Sequence, residues 1–559
     1  MKIKKIKIQN FKSIKDIEIE CNEGINAFIG KNGTGKSAVF DAINIVLGET
    51  YPTANTFQKD YFNNNEEEIV IEIEFCEPYY NYNRKGYSNT IKKLIFKASY
   101  QNGKLETSLK KGDSESYNIN GEDVRDPHRI NYIGSDRTVK SIMPTNSWSL
   151  LGRQFYSSDF FTDDIKKEFE QCMNSAKSQL EKSDKFQGFM KSIQEKLSNQ
   201  INRPDIKSEF TMYDTTHFLK TLEFYVEKNG KKINLINEGS GIQNSFILAT
   251  LQTLSETDFR KNGKQSNNPI FIDEPELYLH PHAKKSLYNT FRKLSDSGTQ
   301  IFYITHSAEF LSYENSEQIH RFYIDGDNGT QNTKGSRSDG LTSRQQMIET
   351  DKISFNNAFF ADTVFLVEGY TDEIFLRYIF QSKNPNRTIE DFNISIVNCA
   401  SKDNIIRFHN LYHALNIACY VLYDKDSTLS TTDKKGAGYT NDDIISKQKQ
   451  RDNNNTELKK CNGYGFEENL EHFLTGELTH HLENDKKREI VQTWIDGPLT
   501  EKKQTKINEI YNEVTKYIPN LKSDNILYED KCCETSIAEE VVSLEQESGQ
   551  VCTELLENN

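Results

Sequence analysis

The sequence has no Cys-x-x-Cys pair and no long apolar run. Its nine cysteines are scattered, with only Cys532 and Cys533 adjacent, so neither a zinc site nor a disulfide framework is indicated. With no signal peptide and no membrane span, a reducing cytosol is the expected compartment. Positive charge is also short. The chain carries 69 Lys and Arg against 83 Asp and Glu, and the net charge of −14 excludes non-specific coating of nucleic acid. A DNA-binding face would have to be a local basic patch. Apolar residues make up only 35 %, but they fall in periodic runs, and 559 residues suffice for two to four domains with buried cores.

The first clear motif lies near the N-terminus. Residues 1–29 alternate as two strands around Asn10-Phe11-Lys12-Ser13, and a third strand runs into Gly30-Lys31-Asn32-Gly33-Thr34-Gly35-Lys36-Ser37. Strand, glycine loop and following helix make a P-loop. Backbone N–H groups of Asn32, Gly33 and Gly35 would close on phosphates, Lys36 would reach the β- and γ-phosphates, and the Ser37 hydroxyl would bind Mg²⁺. Residues 48–135 read as β-rich, with strands at 68–75 and 94–100. Gln58 and Arg137 are weaker nucleotide candidates; a loop glutamine and a surface arginine are the plainer readings.

Two polar helices are expected over 160–202, from Ile165, Phe169, Met173 and Leu180 and then Phe186, Phe189, Ile193 and Leu197. They would pack on a second copy or cap the chain's own head. Further on, Glu238-Gly239-Ser240-Gly241 precedes an apolar helix. Ile270-Phe271-Ile272 ends in Asp273-Glu274-Pro275-Glu276, and a later strand ends at His306. The order resembles that of ABC-type ATPases. The resemblance implies that Ser240 and Gly241 face the nucleotide of a partner subunit. Asp273 would position Mg²⁺, Glu274 would orient the attacking water and His306 would sense the γ-phosphate.

A second site is expected in the last third. The apolar run Val364-Phe365-Leu366-Val367 ends in Glu368, and helix-type residues follow, with Thr371 as an expected N-cap. A second run, 417–423, ends in Asp424-Lys425-Asp426. In an extended chain Asp424 and Asp426 share a face, and three carboxylates at strand ends suit Mg²⁺. Two such motifs in this order resemble a TOPRIM domain. Residues 326–345 read as a linker and 427–463 as a long polar loop.

An ABC-type head followed by a TOPRIM domain resembles the OLD (overcoming lysogenization defect) nucleases, the group that includes the Gabija nuclease subunit and some retron effectors. The expected layout is an α/β chain. An ATPase head spans 1–158 and 206–345, a helical insertion 159–205, and a TOPRIM domain with C-terminal helices 346–559. The resemblance implies an ATP-controlled, Mg²⁺- or Mn²⁺-dependent DNA endonuclease of antiphage defence, a homodimer or larger. An operon partner is also implied, such as a helicase or a reverse transcriptase with its RNA–DNA hybrid. It also implies Asp372 as an additional ligand, Glu471 (or Glu467) as a late acid, and a late lysine, Lys531 or Lys522. Two cations on these acids would clamp a phosphodiester. The other reading is an ATP-gated DNA clamp whose TOPRIM domain binds without cutting.

Overall fold

The computed structural model describes residues 1–48, 57, 59–82, 88–101, 104–111, 130–134, 162–198, 222–256, 268–336, 352–426, 441–477, 483–516 and 518. They belong to two units, Met1–Phe360 with Leu411–Asn416, and Ala361–Asn410 with Ile417–Asn559.

The first unit holds two sheets. Strands β1 (Ile3–Phe11), β2 (Ile14–Glu20), β4 (Ile69–Tyr82), β5 (Ser88–Gln101) and β6 (Lys104–Lys111) form an antiparallel sheet in the order β2-β1-β4-β5-β6. Alternation puts one apolar face inward, and the register sets Ile6 opposite both Ile19 and Ile73. The second sheet contains β3 (Ile25–Gly30), β7 (Asn131–Ile133), β10 (Ile270–Asp273), β11 (Ile301–Ile304), β12 (Ile319–Asp325) and β13 (Gly329–Lys334), in the order β13-β12-β3-β11-β10-β7. All its pairings are parallel except β12 with β13. Every residue of β3, β10 and β11 is buried, as strands covered on both faces require. Helix α1 (Lys36–Leu47) packs against strands of both sheets, and Phe28, Phe40, Phe271, Phe302 and Phe322 join the layers in one core. The Phe271 and Phe302 rings stack at 4.4 Å.

Between the two halves of this head lie helices α2 (Asp163–Glu181) and α3 (Asp184–Ser198), where the apolar spacing placed them. Among the described residues, Ile165, Leu180 and Phe189 of these helices are exposed. A hairpin of β8 (Tyr225–Lys228) and β9 (Lys231–Asn234) precedes α4 (Ser240–Glu256), and α5 (Pro281–Asp296) connects β10 to β11. The stretch expected to be a linker is partly sheet. Residues 329–334 are the edge strand β13, which pairs back on β12 despite its polar composition. Helix α6 (Lys352–Ala358) follows.

The second unit is a four-stranded parallel sheet, β15 (Ile394–Asn398), β14 (Thr363–Val367), β16 (Ala418–Asp424) and β17 (Gly463–Phe466), in that spatial order. Helices α7 (Tyr370–Lys383) and α8 (Lys402–Ala414) make the crossovers. The expected loop at 427–463 contains a helix, α9 (Asn441–Leu458). It has almost no apolar face to betray it, and polar side chains hold it in place. After β17 come α10 (Leu470–Thr475), α11 (Asn484–Asp496) and α12 (Glu501–Thr515). Trp494 of α11 lies edge-on to Phe375, and Ile507, Ile510 and Val514 of α12 complete the core.

Edge strand β17 approaches β16 closely because Gly463 has no side chain. A Cβ there would lie 2.3 Å from Val421 Cγ2 and 2.4 Å from the Val421 carbonyl oxygen. The backbone oxygen cannot move aside without breaking the ladder. Gly463→Ala is expected to destabilise the second unit by roughly 1–3 kcal/mol, read from denaturant melts, and Val421→Ala in the same chain should not rescue it. A neutral Gly463→Ala would show that β17 is not held in this register.

Candidate functional site

In the first unit the P-loop leaves β3, the strand between β12 and β11. Gly30 has φ +140, and a Cβ on it would lie 2.2 Å from the Phe322 carbonyl oxygen. Gly35 has φ +90 and is crowded by Thr330 and Ser13. Both positions therefore require glycine. Asn32, Gly33 and Ser37 are exposed at the mouth of the loop. Lys36 is buried, and its ammonium donates to the carbonyl oxygens of Gly30 (2.8 Å) and Lys31 (2.7 Å). Burial pushes the Lys36 ammonium down to about 8, against the pull of Asp273 and Glu274.

Those two acids close β10. Asp273 is buried, and Glu274 turns the chain with φ +48 while its N–H donates to the Ile304 carbonyl oxygen at 2.9 Å. His306 follows β11. Burial and then the Lys36 charge hold its imidazole below the usual range, and Glu274 acts in the other direction. The structure thus brings Lys36, Asp273, Glu274 and His306 within electrostatic reach of one another at adjacent strand ends. Glu276, whose role the sequence does not disclose, ties the arrangement. Its Oε1 accepts from Thr305 Oγ1 (2.9 Å) and from the His306 N–H (2.6 Å). Burial raises its pKa. Ser240 and Gly241 face solvent in the first turn of α4. Gln58 and Arg137 lie outside the described residues.

In the second unit Glu368 emerges from β14 and Asp424 ends β16, the neighbouring strand. The helix after Glu368 begins two residues earlier than expected. Gly369, not Thr371, is the N-cap, and Asp372 Oδ2 accepts the Gly369 N–H at 2.8 Å. This hydrogen bond turns Asp372 inward beside Glu368. Glu471, in the first turn of α10, is buried close enough to raise the pKa of both Asp372 and Asp424. Glu467 is exposed and pairs outward with Lys425 at 2.8 Å, so Glu471 is the late acid that joins the group. Asp426 does not continue the strand: its φ is +49, its N–H donates to the Glu468 carbonyl oxygen, and its carboxylate meets Lys402 Nζ at 2.6 Å. Lys531 and Lys522 lie outside the described residues.

The electrostatics of this group are those of like charges out of water. Burial and then the neighbouring Glu368 charge push the Asp372 carboxyl up to about 8. Burial, then Asp372 and Glu368, raise Asp424 well above the carboxylate range. Burial raises Glu368 as well, with Lys402 pulling it down and Asp426 pushing it up. Among the described residues, none of Glu368, Asp372, Asp424 and Glu471 forms an ion pair, and no three His, Cys, Asp or Glu stand in position to hold a metal ion. Asp372 and Glu471 are buried and Glu368 and Asp424 half-buried, and hard carboxylate oxygens are the donor type that suits a divalent cation. Lys402 was missed in the sequence. One weak signal was there, since a lysine as the first residue of a helix is disfavoured by the helix dipole and is eased by a nearby anion.

Comparison with known proteins assigns both parts of the chain to families. Residues 25–312 match the family described as AAA domain, putative AbiEii toxin, Type IV TA system. Residues 359–426 match the TOPRIM domain of proteins like the overcoming lysogenization defect protein. The OLD nuclease of Thermus scotoductus is 25% identical over 449 residues, covering 76% of this chain and 82% of that protein. The Old nuclease of Escherichia phage P2 is 33% identical over 195 residues, 34% of this chain and 33% of the phage protein. Endonuclease GajA of Bacillus cereus is 23% identical over 419 residues, 67% of this chain and 58% of its own length.

The raised carboxyls make stability depend on pH. Asp372 loses its proton near pH 4 in an unfolded chain but near 8 in the fold. Its contribution is therefore full below about pH 4 and is lost as pH rises through about 8. In chelator, Asp372→Asn should lose less melting temperature than the parent between pH 6 and 9, because the amide keeps the Gly369 hydrogen bond without the charge. Equal losses in the two proteins would show that repulsion in this group does not limit stability.

Proposed function

This chain belongs to the family described as AAA domain, putative AbiEii toxin, Type IV TA system, and joins that ATPase domain to an OLD-like TOPRIM domain. From that premise we propose that it is an ATP-regulated, Mg²⁺-dependent DNA endonuclease. The observation that carries the reading is the group of half-buried Glu368 and Asp424 and buried Asp372 and Glu471 at the carboxyl ends of a parallel sheet. The Glu368 and Glu471 charges both raise the carboxyls of Asp372 and Asp424, after burial itself. These residues would hold the cation. When bound, it supplies an activated water and offsets negative charge on a phosphodiester. The chain's own part is to keep the acceptors dry, to fix Asp372 through Gly369 and Asp424 through the Leu470 N–H (3.1 Å), and to present a cationic rim. Lys487 and Arg488 of α11 supply that rim: the Lys487 charge reaches Glu368 and Asp372, and Arg488 lies over the exposed Tyr370 ring.

In the first unit the P-loop, Asp273, Glu274 and His306 would bind ATP with Mg²⁺ and hydrolyse it. Ser240 and Gly241, exposed as they are, would complete the nucleotide site of a second copy, which makes the active form a homodimer or larger. The exposed Ile165, Leu180 and Phe189 of α2 and α3 are consistent with such pairing. The likeness to Endonuclease GajA supports the endonuclease reading, and a place in antiphage defence is what the motif resemblance of the sequence implies. There an operon partner, a helicase or a reverse transcriptase with its RNA–DNA hybrid, would set the trigger.

Cleavage is the direct test. With Mg²⁺ or Mn²⁺ the parent should nick or cut DNA, and Asp424→Ala should lower the rate at least about 100-fold with an unchanged fold by circular dichroism. Binding of DNA without cutting, by parent and variant alike, would mean a clamp instead.

The ATPase has its own check. Glu274→Gln should bind ATP as the parent does but turn it over at least roughly 10-fold more slowly, because only the water-orienting group is changed. Parental turnover by this variant would move the catalytic base elsewhere.

A further inference from the structure

The turn that closes β10 carries two glutamates, Glu274 and Glu276, and a carboxylate at either position has the chemistry to orient an attacking water. The structure treats them differently. Glu276 has both oxygens committed or shut away. Its Oε1 accepts from Thr305 Oγ1 (2.9 Å) and from the His306 N–H (2.6 Å). Its Oε2 is buried and has no hydrogen-bond partner among the described residues. A carboxyl in this state does not meet solvent with the oxygen it has left, so it is badly placed to take a proton from water. Its charge is not favoured either: burial raises its pKa most, the His306 and Thr305 donors pull it down, and the Glu274 charge pushes it up.

The partners of Glu276 are themselves fixed. Thr305 Oγ1 accepts from the Ser307 N–H (3.0 Å), so the hydroxyl proton is left for Glu276. The Thr305 N–H donates to the Phe28 carbonyl oxygen of β3 (3.1 Å), the strand that leads into the P-loop. Beyond His306, Lys284 Nζ of α5 donates to Ser307 Oγ (3.2 Å), and Ser307 Oγ donates to Glu309. The backbone on both sides of His306 is thus clamped while the residue itself stays exposed. On the other side of the brace, the Glu274 N–H is held by Ile304 (2.9 Å).

We propose that Glu276 is a positioning residue of the nucleotide site: as the acceptor of two hydrogen bonds it fixes the Thr305-His306 backbone against the Glu274 turn, and it works by reach and acceptance, not by charge. The inference rests on the ATPase reading above and adds to it a residue that acts through His306 and Glu274. It also separates the two glutamates, leaving the water to Glu274. Glutamine has the length and the oxygen to replace Glu276; aspartate, one methylene shorter, does not reach.

The test is steady-state ATP turnover by the full chain with Mg²⁺, beside the affinity for a non-hydrolysable ATP analogue. Glu276→Ala and Glu276→Asp should lower kcat at least about 10-fold with the analogue bound as in the parent, because geometry and not binding is lost. Glu276→Gln should restore kcat to within about 3-fold of the parent. Parental turnover by Glu276→Ala would overturn the proposal. So would a Glu276→Gln as slow as the alanine variant, since the charge would then be what matters. If Glu276→Ala does not fold, Thr305→Val decides: it removes one of the two donors and keeps the side-chain shape. It should lower kcat roughly 3-fold or more at unchanged analogue affinity, and parental turnover would again overturn the proposal. A parent that neither binds the analogue nor hydrolyses ATP overturns the ATPase reading together with this one. Parental turnover by Glu276→Ala beside a slow Glu274→Gln overturns this one alone.

Discussion

Repulsion among buried carboxylates is the constraint that the second unit is built to contain. Like charges out of water cost free energy, and a loop could not hold them against it. A parallel sheet can, because its strands are covered on both faces and their carboxyl ends emerge among packed side chains. β14 and β16 are neighbours with Val367 opposite Leu422, so Glu368 and Asp424 leave the sheet at nearly the same level. The apolar cover from α7, α11 and α12 stabilises what the charges oppose. Each fully buried Phe or Leu contributes about 1.5–3 kcal/mol, and Phe375, Leu376, Ile507 and Ile510 are all fully buried.

The first unit meets the mirror image of this problem. There the buried charge is a cation, Lys36, and it is satisfied by loop carbonyls and by two acids at the end of β10. A parallel sheet again sets the positions: β3, β11 and β10 are consecutive, and their carboxyl ends carry the loop, the histidine and the acid pair. One unit gathers negative charge at its strand ends, and the other a buried ammonium.

The strands that carry these sites were legible because parallel strands read as short, unbroken apolar runs ending in a polar residue. Ile270 to Asp273 and Val364 to Glu368 are of this kind, and the glycine loop after β3 could be read from its spacing. What was not legible depends on partners distant in the chain. β13 is polar and looks like a linker; only its pairing with β12 makes it a strand. α9 has few apolar residues, and its position comes from amide and guanidinium hydrogen bonds to the Asp-x-Asp turn and to Asp403. Extended geometry would have set Asp424 and Asp426 side by side. The left-handed turn at Asp426 instead sends the second acid to Lys402. Thr371 looked like the helix cap because its side chain can accept, yet Gly369 takes that place since Asp372 reaches back to its N–H.

The short bonds from Thr305 and His306 to Glu276 give the ends of β10 and β11 a common mechanical fate. Glu276 is two residues from Glu274, and the Glu274 N–H is itself anchored to β11 through Ile304. The acid turn and the histidine are thus cross-braced at both ends, like two rungs fixed between the same rails. Motion at one cannot be absorbed locally by slack in the other. Glu274 and His306 are therefore tied to each other twice, through Glu276 and through Ile304.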